Sequence, residues 1–401
     1  MNTEQQPGPV DSSERLVFMD GLRGMALGGI FLVNMGIMAA PSMAFGPNEI
    51  ESGPISTGVS LVRHFLADGA FFFLFSLLFG AGFSIMMGPF GRRSGGIGLA
   101  AYYRRLLLIG IFGFLHVWLF WWGDILMIYA LAGAWLPLFR KRKDRTLLIW
   151  AVVLVVGPYL LFSGLLELFS TSSVGYEEWE ASYSAAVQAW ISALLDGYRS
   201  PDFSVVSEMR WEEYFYNLWG GVFSLFSALG YMLLGLWFAR HDRFRLGGEN
   251  GRFFQKMIPV AVALAILGKA AYVFWLYGGY TFEGGLLFWV GFSVGGPASG
   301  LVYFGGLRWF YLRGRALWLQ KGLEAAGRMA LTQYLLQSAF ISLLFYGYGF
   351  GLYGKVSPAL QIPIVLGFFA LQVLVSVLWF RRFSIGPLEW ILRKFTYAGS
   401  R

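Results

Sequence analysis

Cysteine is absent from this 401-residue chain, so disulfide frameworks, thiolate metal sites and cysteine nucleophiles are all excluded. Histidine is nearly absent: His64, His116 and His241 are the whole set, and no grouping of His, Asp and Glu has the spacing of a metal site. Charge is also scarce, with 13% charged residues against 57% hydrophobic ones. That balance lies far outside soluble domains and points to a polytopic membrane protein. The first residues lack the basic stretch and small-residue cleavage pattern of a signal peptide. Residues 1–14, polar and carrying Pro7 and Pro9, are expected to form a disordered cytoplasmic tail and residues 396–401 a second cytoplasmic tail, leaving 15–395 as a single transmembrane domain. Neither a glycine-rich cofactor loop nor an internal repeat is visible, and a missing repeat weighs against the duplicated plan of many transporters.

What the chain has is apolar length. Runs able to cross a bilayer, which takes about 20 helical residues, lie at 16–40, 65–88, 104–122, 124–139, 147–168, 217–239, 254–277, 286–312, 329–350 and 358–381. The fold class is therefore all-α, a polytopic transmembrane helix bundle of about ten spans. The net charge of +8 invites a nucleic-acid reading. Its distribution excludes one. The connections at 88–105, 140–145, 240–256 and 308–328, with the tail 381–401, hold 24 of the 31 Lys and Arg residues, so every second connection is basic. By the positive-inside rule both termini are cytoplasmic. The longest intervening segment, 169–216, has eight acids and two arginines. It is expected to be an extracytoplasmic lid of amphipathic helices, with Trp179, Tyr183, Trp190, Ile191, Leu194 and Leu195 on their apolar faces.

Polar residues inside the spans carry the functional reading, because an ionisable group at membrane depth is costly unless paired or facing a polar cavity. In the first span Asp20 and Arg23 form a charged pair at the cytoplasmic end, and Asn34, 11 residues after Arg23, returns to within ~20° of the same face. In the third span Arg105, beside Arg104, and His116 repeat that 11-residue step, ~16 Å apart along the helix axis. Such a stripe suits a ligand with an anionic head at the cytoplasmic face and a reactive end deep in the membrane, as an acyl-CoA such as acetyl-CoA has. His116 would be the general base. Asp124, just across a hairpin, is the nearest group able to orient its ring. His64 and Asp68, an i,i+4 pair, are acceptor-side candidates. Gln333 and Gln337 share a face of the ninth span, where interhelical hydrogen bonding competes with a donor-binding role. Lys269 reads as a lysine snorkelling to the outer surface.

Five blocks also carry a resemblance. Met19-Asp20-Gly21-Leu22-Arg23-Gly24 with Asn34, Leu74-Phe75-Ser76-Leu77-Leu78-Phe79-Gly80-Ala81-Gly82-Phe83, His116 with Gly123-Asp124-Ile125-Leu126, Gly327-Arg328-Met329-Ala330-Leu331-Thr332-Gln333-Tyr334-Leu335-Leu336-Gln337-Ser338 and Gly386-Pro387-Leu388-Glu389-Trp390 together resemble the YeiB family of bacterial membrane proteins. The chain departs from it where relatives carry an acidic-Gly-Lys run, here Asp68-Gly69-Ala70, and where Gln333 replaces an Asn. At superfamily level the resemblance extends to transmembrane acyltransferases with an intramembrane Asn and His, which implies roles for Asn34 and His116.

The expected function is an integral-membrane acyltransferase of the bacterial inner membrane. It would move an acyl group from cytoplasmic acyl-CoA to an extracytoplasmic glycan or lipid acceptor. Arg23, Arg104 and Arg105 would hold the donor, His116 would be the base and Asn34 would position the thioester. Membrane lipids are the expected partners, no cofactor is permanently bound, and a homodimer is compatible with the sequence. A transporter of a small amphipathic or anionic solute, or a non-catalytic lipid-binding protein, would use the same polar stripe differently.

Overall fold

In the computed structural model, which describes residues 12–41, 53–88, 98–170, 176–247, 250–278 and 285–398, the chain is helical throughout and no strand occurs among the described residues. The helices are α1 Ser12–Met38, α2 Pro54–Ala67, α3 Ala70–Met87, α4 Leu99–Leu119, α5 Leu126–Gly133, α6 Leu136–Phe139, α7 Asp144–Ser170, α8 Tyr176–Arg199 and α9 Phe203–Tyr216. They continue as α10 Leu218–Arg240, α11 Asn250–Gly278, α12 Gly285–Val290, a π-helical turn Gly291–Gly295, α13 Gly296–Leu312, α14 Leu317–Arg328, α15 Ala330–Phe345, α16 Pro358–Trp379 and α17 Pro387–Thr396. Of the two expected tails, residues 1–11 and 399–401 lie outside the described residues, and Ser12 already begins α1.

Among the described residues eight helical segments are long and apolar enough to cross a membrane: Val17–Met38, Pro54–Met87, Leu99–Leu119, Asp144–Leu161, Gly220–Arg240, Asn250–Tyr277, Leu287–Leu312 and Pro358–Trp379. The other two apolar runs form shorter helices. Residues 124–139 divide into α5 and α6 ahead of Pro137, and the run at 329–350 is helical only as α15, which stops at Phe345. Large side chains on the outside are apolar: Leu161, Leu267, Phe274 and Leu366 are each at least 64% exposed. A bundle that turns such residues outward across whole helices is built for lipid. Pro158, Pro259 and Pro363 sit inside helices, as membrane spans tolerate.

The bundle has two distinct ends. At the basic end arginines close helix termini: Arg240 donates to the carbonyls of Arg140 at 2.7 Å and Arg142 at 2.8 Å, and Arg308 to those of Arg245 and Leu246. At the other end α8 and α9 form the expected lid. Asp202 caps α9 by accepting the Ser204 N–H at 2.8 Å. The lid is packed into the bundle, with Leu194, Tyr198 and Val206 buried against Phe31, Met35, Trp121, Ile341 and Tyr346. Of the lid's expected apolar face, the side chains of Trp179 and Tyr183 lie outside the described residues.

Between the ends, α10 packs on α3 and α7, and α1 packs on α14, α3 and α15. Close approach depends on glycine at several places, of which two bear on the candidate sites. Gly268 faces Gly295, where an added Cβ would meet backbone at 2.7 Å, and Gly113 on α4 faces the start of α5.

Candidate functional site

His116 lies in the last full turn of α4 with no exposed surface. Its Nε2 is 2.8 Å from the Ser338 hydroxyl on α15. Its Nδ1 is 3.2 Å from Asp124 Oδ1, and both of these side chains are fully shielded. The contact is at ion-pair distance without hydrogen-bond alignment, and neither atom has another partner among the described residues. Tyr334, one turn before Ser338, stacks on the imidazole with centroids 5.1 Å apart, and Trp121 meets it edge-on at 6.4 Å.

Local folding explains how Asp124 reaches the ring. The chain reverses after α4 through Phe120 to Gly123, with the Asp124 N–H on the Trp122 carbonyl at 2.8 Å. The second carboxylate oxygen, Oδ2, accepts the Met127 N–H at 2.6 Å and so holds the first turn of α5. That turn lies directly on Gly113, one helical turn before His116, where a Cβ would stand 2.6 Å from the Met127 nitrogen. A side chain at position 113 would push Asp124 away from the imidazole.

A polar ladder on α15 runs from the basic end to this array. At its foot Glu389 of α17 accepts the N–H groups of Leu331 at 2.8 Å and Thr332 at 3.1 Å and the Thr332 hydroxyl at 2.7 Å. One residue on, the buried Gln333 bonds Ser376 at 2.6 Å and Gln372 at 2.7 Å. Gln337 reaches Gln372 at 2.9 Å and the Leu27 carbonyl of α1 at 3.4 Å. Ser338 follows, and then His116. The two glutamines thus join α15 to α16 and α1 by interhelical hydrogen bonds.

The expected cations gather at the foot. Asp20 pairs with Arg23, Arg328 lies within electrostatic range of Asp20, and Arg105 lies within range of both Arg23 and Glu389. Arg104 beside them is half-buried, its Nε without an acceptor among the described residues. A surface hollow of about 330 Å³ also opens at the basic end, lined by Leu99, Pro137, Leu138, Arg140, Lys141 and Arg142.

Other expected residues fall elsewhere. Asn34 is buried on α1 but makes no hydrogen bond to His116 or Ser338 among the described residues. His64 and Asp68 do pair, Nδ1 to Oδ2 at 2.7 Å, in a separate cluster with Arg63, Lys269 and Tyr272. No contact joins that cluster to His116 among the described residues. Lys269 is not a snorkelling lysine. It is 1% exposed and its ammonium donates to the carbonyls of Asp68 and of His64, the latter at 3.3 Å. The cause is the break between α2 and α3 at Asp68 and Gly69, the latter with φ of +71°, which strands carbonyls that α11 must satisfy. Ala70 follows the break, so the cation beside Asp68 comes from α11.

Ser338 was the residue that sequence reasoning passed over. Its available signal was a hydroxyl beside Gln337 in an apolar run.

A family model described as a protein of unknown function, DUF418, matches residues 238–399. The uncharacterized protein YxaH of Bacillus subtilis is 33% identical over 403 residues, covering 97% of this chain and 96% of its own length. The uncharacterized protein YeiB of Escherichia coli is 29% identical over 412 residues, covering 96% of each chain. No solved structure matches.

Proposed function

The chain belongs to the DUF418 family of YeiB-like membrane proteins, and from that premise we propose that it is an integral-membrane acyltransferase with His116 as general base and Ser338 as nucleophile. The observation that carries this reading is the buried succession Ser338 Oγ, His116 Nε2, His116 Nδ1, Asp124 Oδ1, with separations of 2.8 Å and 3.2 Å at its two contacts. A hydroxyl on one imidazole nitrogen and a carboxylate at the other is the arrangement that activates a weak nucleophile. With Asp124 ionised, Nδ1 keeps its proton and Nε2 is free to accept one from Ser338. Misalignment of the carboxylate contact is usual before substrate tightens such a site.

In the first half-reaction the Ser338 oxygen attacks the thioester carbonyl as its proton passes to His116. The thiolate leaves and takes that proton from the imidazolium. In the second, an acceptor hydroxyl or amine gives its proton to His116, attacks the acyl-serine and leaves Ser338 reprotonated. Arg23, Arg104, Arg105 and Arg328 would hold the phosphates of an acyl-CoA such as acetyl-CoA at the basic end. Its narrow arm would follow the Gln333 and Gln337 ladder inward. The charge distribution supports a cytoplasmic basic end and cytoplasmic termini in the inner membrane, with a glycan or lipid acceptor arriving beneath the lid.

The test is acyl-CoA cleavage by purified protein, followed as free thiol, with mass spectrometry of the protein. The reading predicts an acyl adduct on Ser338 and its loss in Ser338→Ala. Unchanged cleavage in Ser338→Ala and His116→Ala would refute it. A second reading, a transporter, is favoured by the broken helix α2/α3, because broken helices with stranded carbonyls hold ions in many transporters. Labelled anionic solute crossing proteoliposomes without acyl donor would support that alternative.

A further inference from the structure

Arg210 is one of only two arginines in the acidic segment 169–216, and it is completely buried on α9. Its guanidinium lies over the Phe203 ring at 4.9 Å. Nη1 donates to the Leu119 carbonyl at 2.7 Å, on the last residue of α4. Nε and Nη2 find no acceptor among the described residues. These two nitrogens form the side-on fork of the guanidinium, the edge that matches two oxygens of a carboxylate or phosphate.

Among the described residues no carboxylate of the lid pairs with this charge. Glu213, three residues on, is turned to Tyr198 and Trp122, and burial pushes its carboxyl up to about 8, so near neutrality it is mostly protonated. A buried cation without a counter-charge is among the costliest arrangements a fold can carry. A third donor without an acceptor among the described residues lies close by in the chain: Trp121 Nε1, on the indole that packs edge-on against His116. Leu119, which receives Arg210, is three residues beyond His116, a rise of about 4.5 Å along α4. Unused donors with no available acceptor therefore flank the stretch of chain that follows His116.

We infer that Arg210, with the Trp121 indole N–H, forms an oxyanion-binding site beneath the lid for a phosphate or carboxylate group on the molecule that reaches His116. The oxyanion site itself stands on the geometry of the lid. That the molecule is the acyl acceptor, and hence that the acceptor is anionic, rests on the proposed acyl transfer.

The experiment uses full-length protein in neutral detergent, with indole fluorescence and the thermal midpoint as readouts. Inorganic phosphate, glycerol phosphate and dihexanoylphosphatidylglycerol are titrated, with added maltoside as the uncharged control. At least one oxyanion is expected to bind and raise the midpoint of the wild type, with affinity reduced about tenfold or more in Arg210→Gln and Arg210→Met. Binding of the lipid alone assigns a lipid headgroup; binding of glycerol phosphate as well assigns a soluble phosphate ester. If the Arg210 variants fail to fold, Trp121→Phe carries the test through a reduced affinity for the same probe. Absence of oxyanion binding by the wild type, or binding unchanged in every variant, would overturn the site. Arg210→Met melting higher than the wild type with no probe response from either protein would identify a purely structural arginine and overturn it too. His116→Ala is expected to lose transfer and keep oxyanion binding. Transfer retained in His116→Ala beside Arg210-dependent binding would reject the reaction while leaving this site standing.

Discussion

Among the described residues two histidine–aspartate pairs lie within the bundle, His116 with Asp124 fully shielded and His64 with Asp68 half-buried, and they differ in what faces the second ring nitrogen. At His64 the Nδ1 meets Asp68 at 2.7 Å, while Nε2 lies 3.4 Å from an Arg63 nitrogen, a group that can only donate to it. The same aspartate also accepts the Tyr272 hydroxyl at 2.8 Å, and the Lys269 ammonium sits on its carbonyl. Every group there is spent on closing the break between α2 and α3. At His116 the Nε2 faces a hydroxyl, no cation touches the ring among the described residues, and Asp124 Oδ2 holds the first turn of α5 while Oδ1 faces the imidazole. One pair is arranged to hold a helix break shut. The other is arranged to move a proton. The same two residue types therefore separate into structure and chemistry according to whether Nε2 faces a hydroxyl, which becomes a nucleophile as it gives up its proton, or a guanidinium, which does not.

Exchanging the carboxylates for amides sharpens this contrast most. Asp124→Asn removes the charge that fixes the tautomer and balances the imidazolium, and is expected to slow transfer about 10²-fold or more with little effect on donor affinity. Steady-state kinetics with an acyl-CoA series checks it. A smaller loss, about tenfold or more, is expected for Gly113→Ala, which leaves every site residue intact but displaces the start of α5. A rate equal to the wild type would mean that the position of Asp124 does not matter. Smallest on the rate is Lys269→Met, which strands the carbonyls of the helix break. It is expected to lower stability by about 2–4 kcal/mol while transfer stays near the wild-type rate. Thermal unfolding in detergent measures the first quantity, and a large rate loss without destabilisation would give the second cluster a chemical role.

Sequence reasoning reached the architecture because membrane insertion writes itself into composition: apolar runs, alternating basic connections and the acid-rich lid need no tertiary information. The 11-residue step placed Arg105 and His116 on one helix correctly, and Asp124 was near enough in sequence to be named as the orienting group. Ser338 was not legible. It lies 222 positions from His116, and a contact between helices distant in sequence depends on rotations that no spacing rule fixes. Asn34 marks the limit of such reasoning: it shares a face with Arg23 and makes no hydrogen bond to His116 among the described residues, because helical phase gives a direction without identifying the neighbour. The snorkelling expectation for Lys269 failed for a related reason. The break at Asp68 and Gly69 created unpaired carbonyls, and those attract an ammonium more strongly than the distant membrane surface does.

The most direct test places the two histidines side by side. His116→Ala and His64→Ala are purified together, and the rate of acyl transfer from acyl-CoA is measured for each against the wild type. The account predicts a loss of about 10²–10⁴-fold for His116→Ala, with His64→Ala less stable and its rate nearly unchanged. Equal losses in the two variants, or a larger loss for His64→Ala, would contradict it.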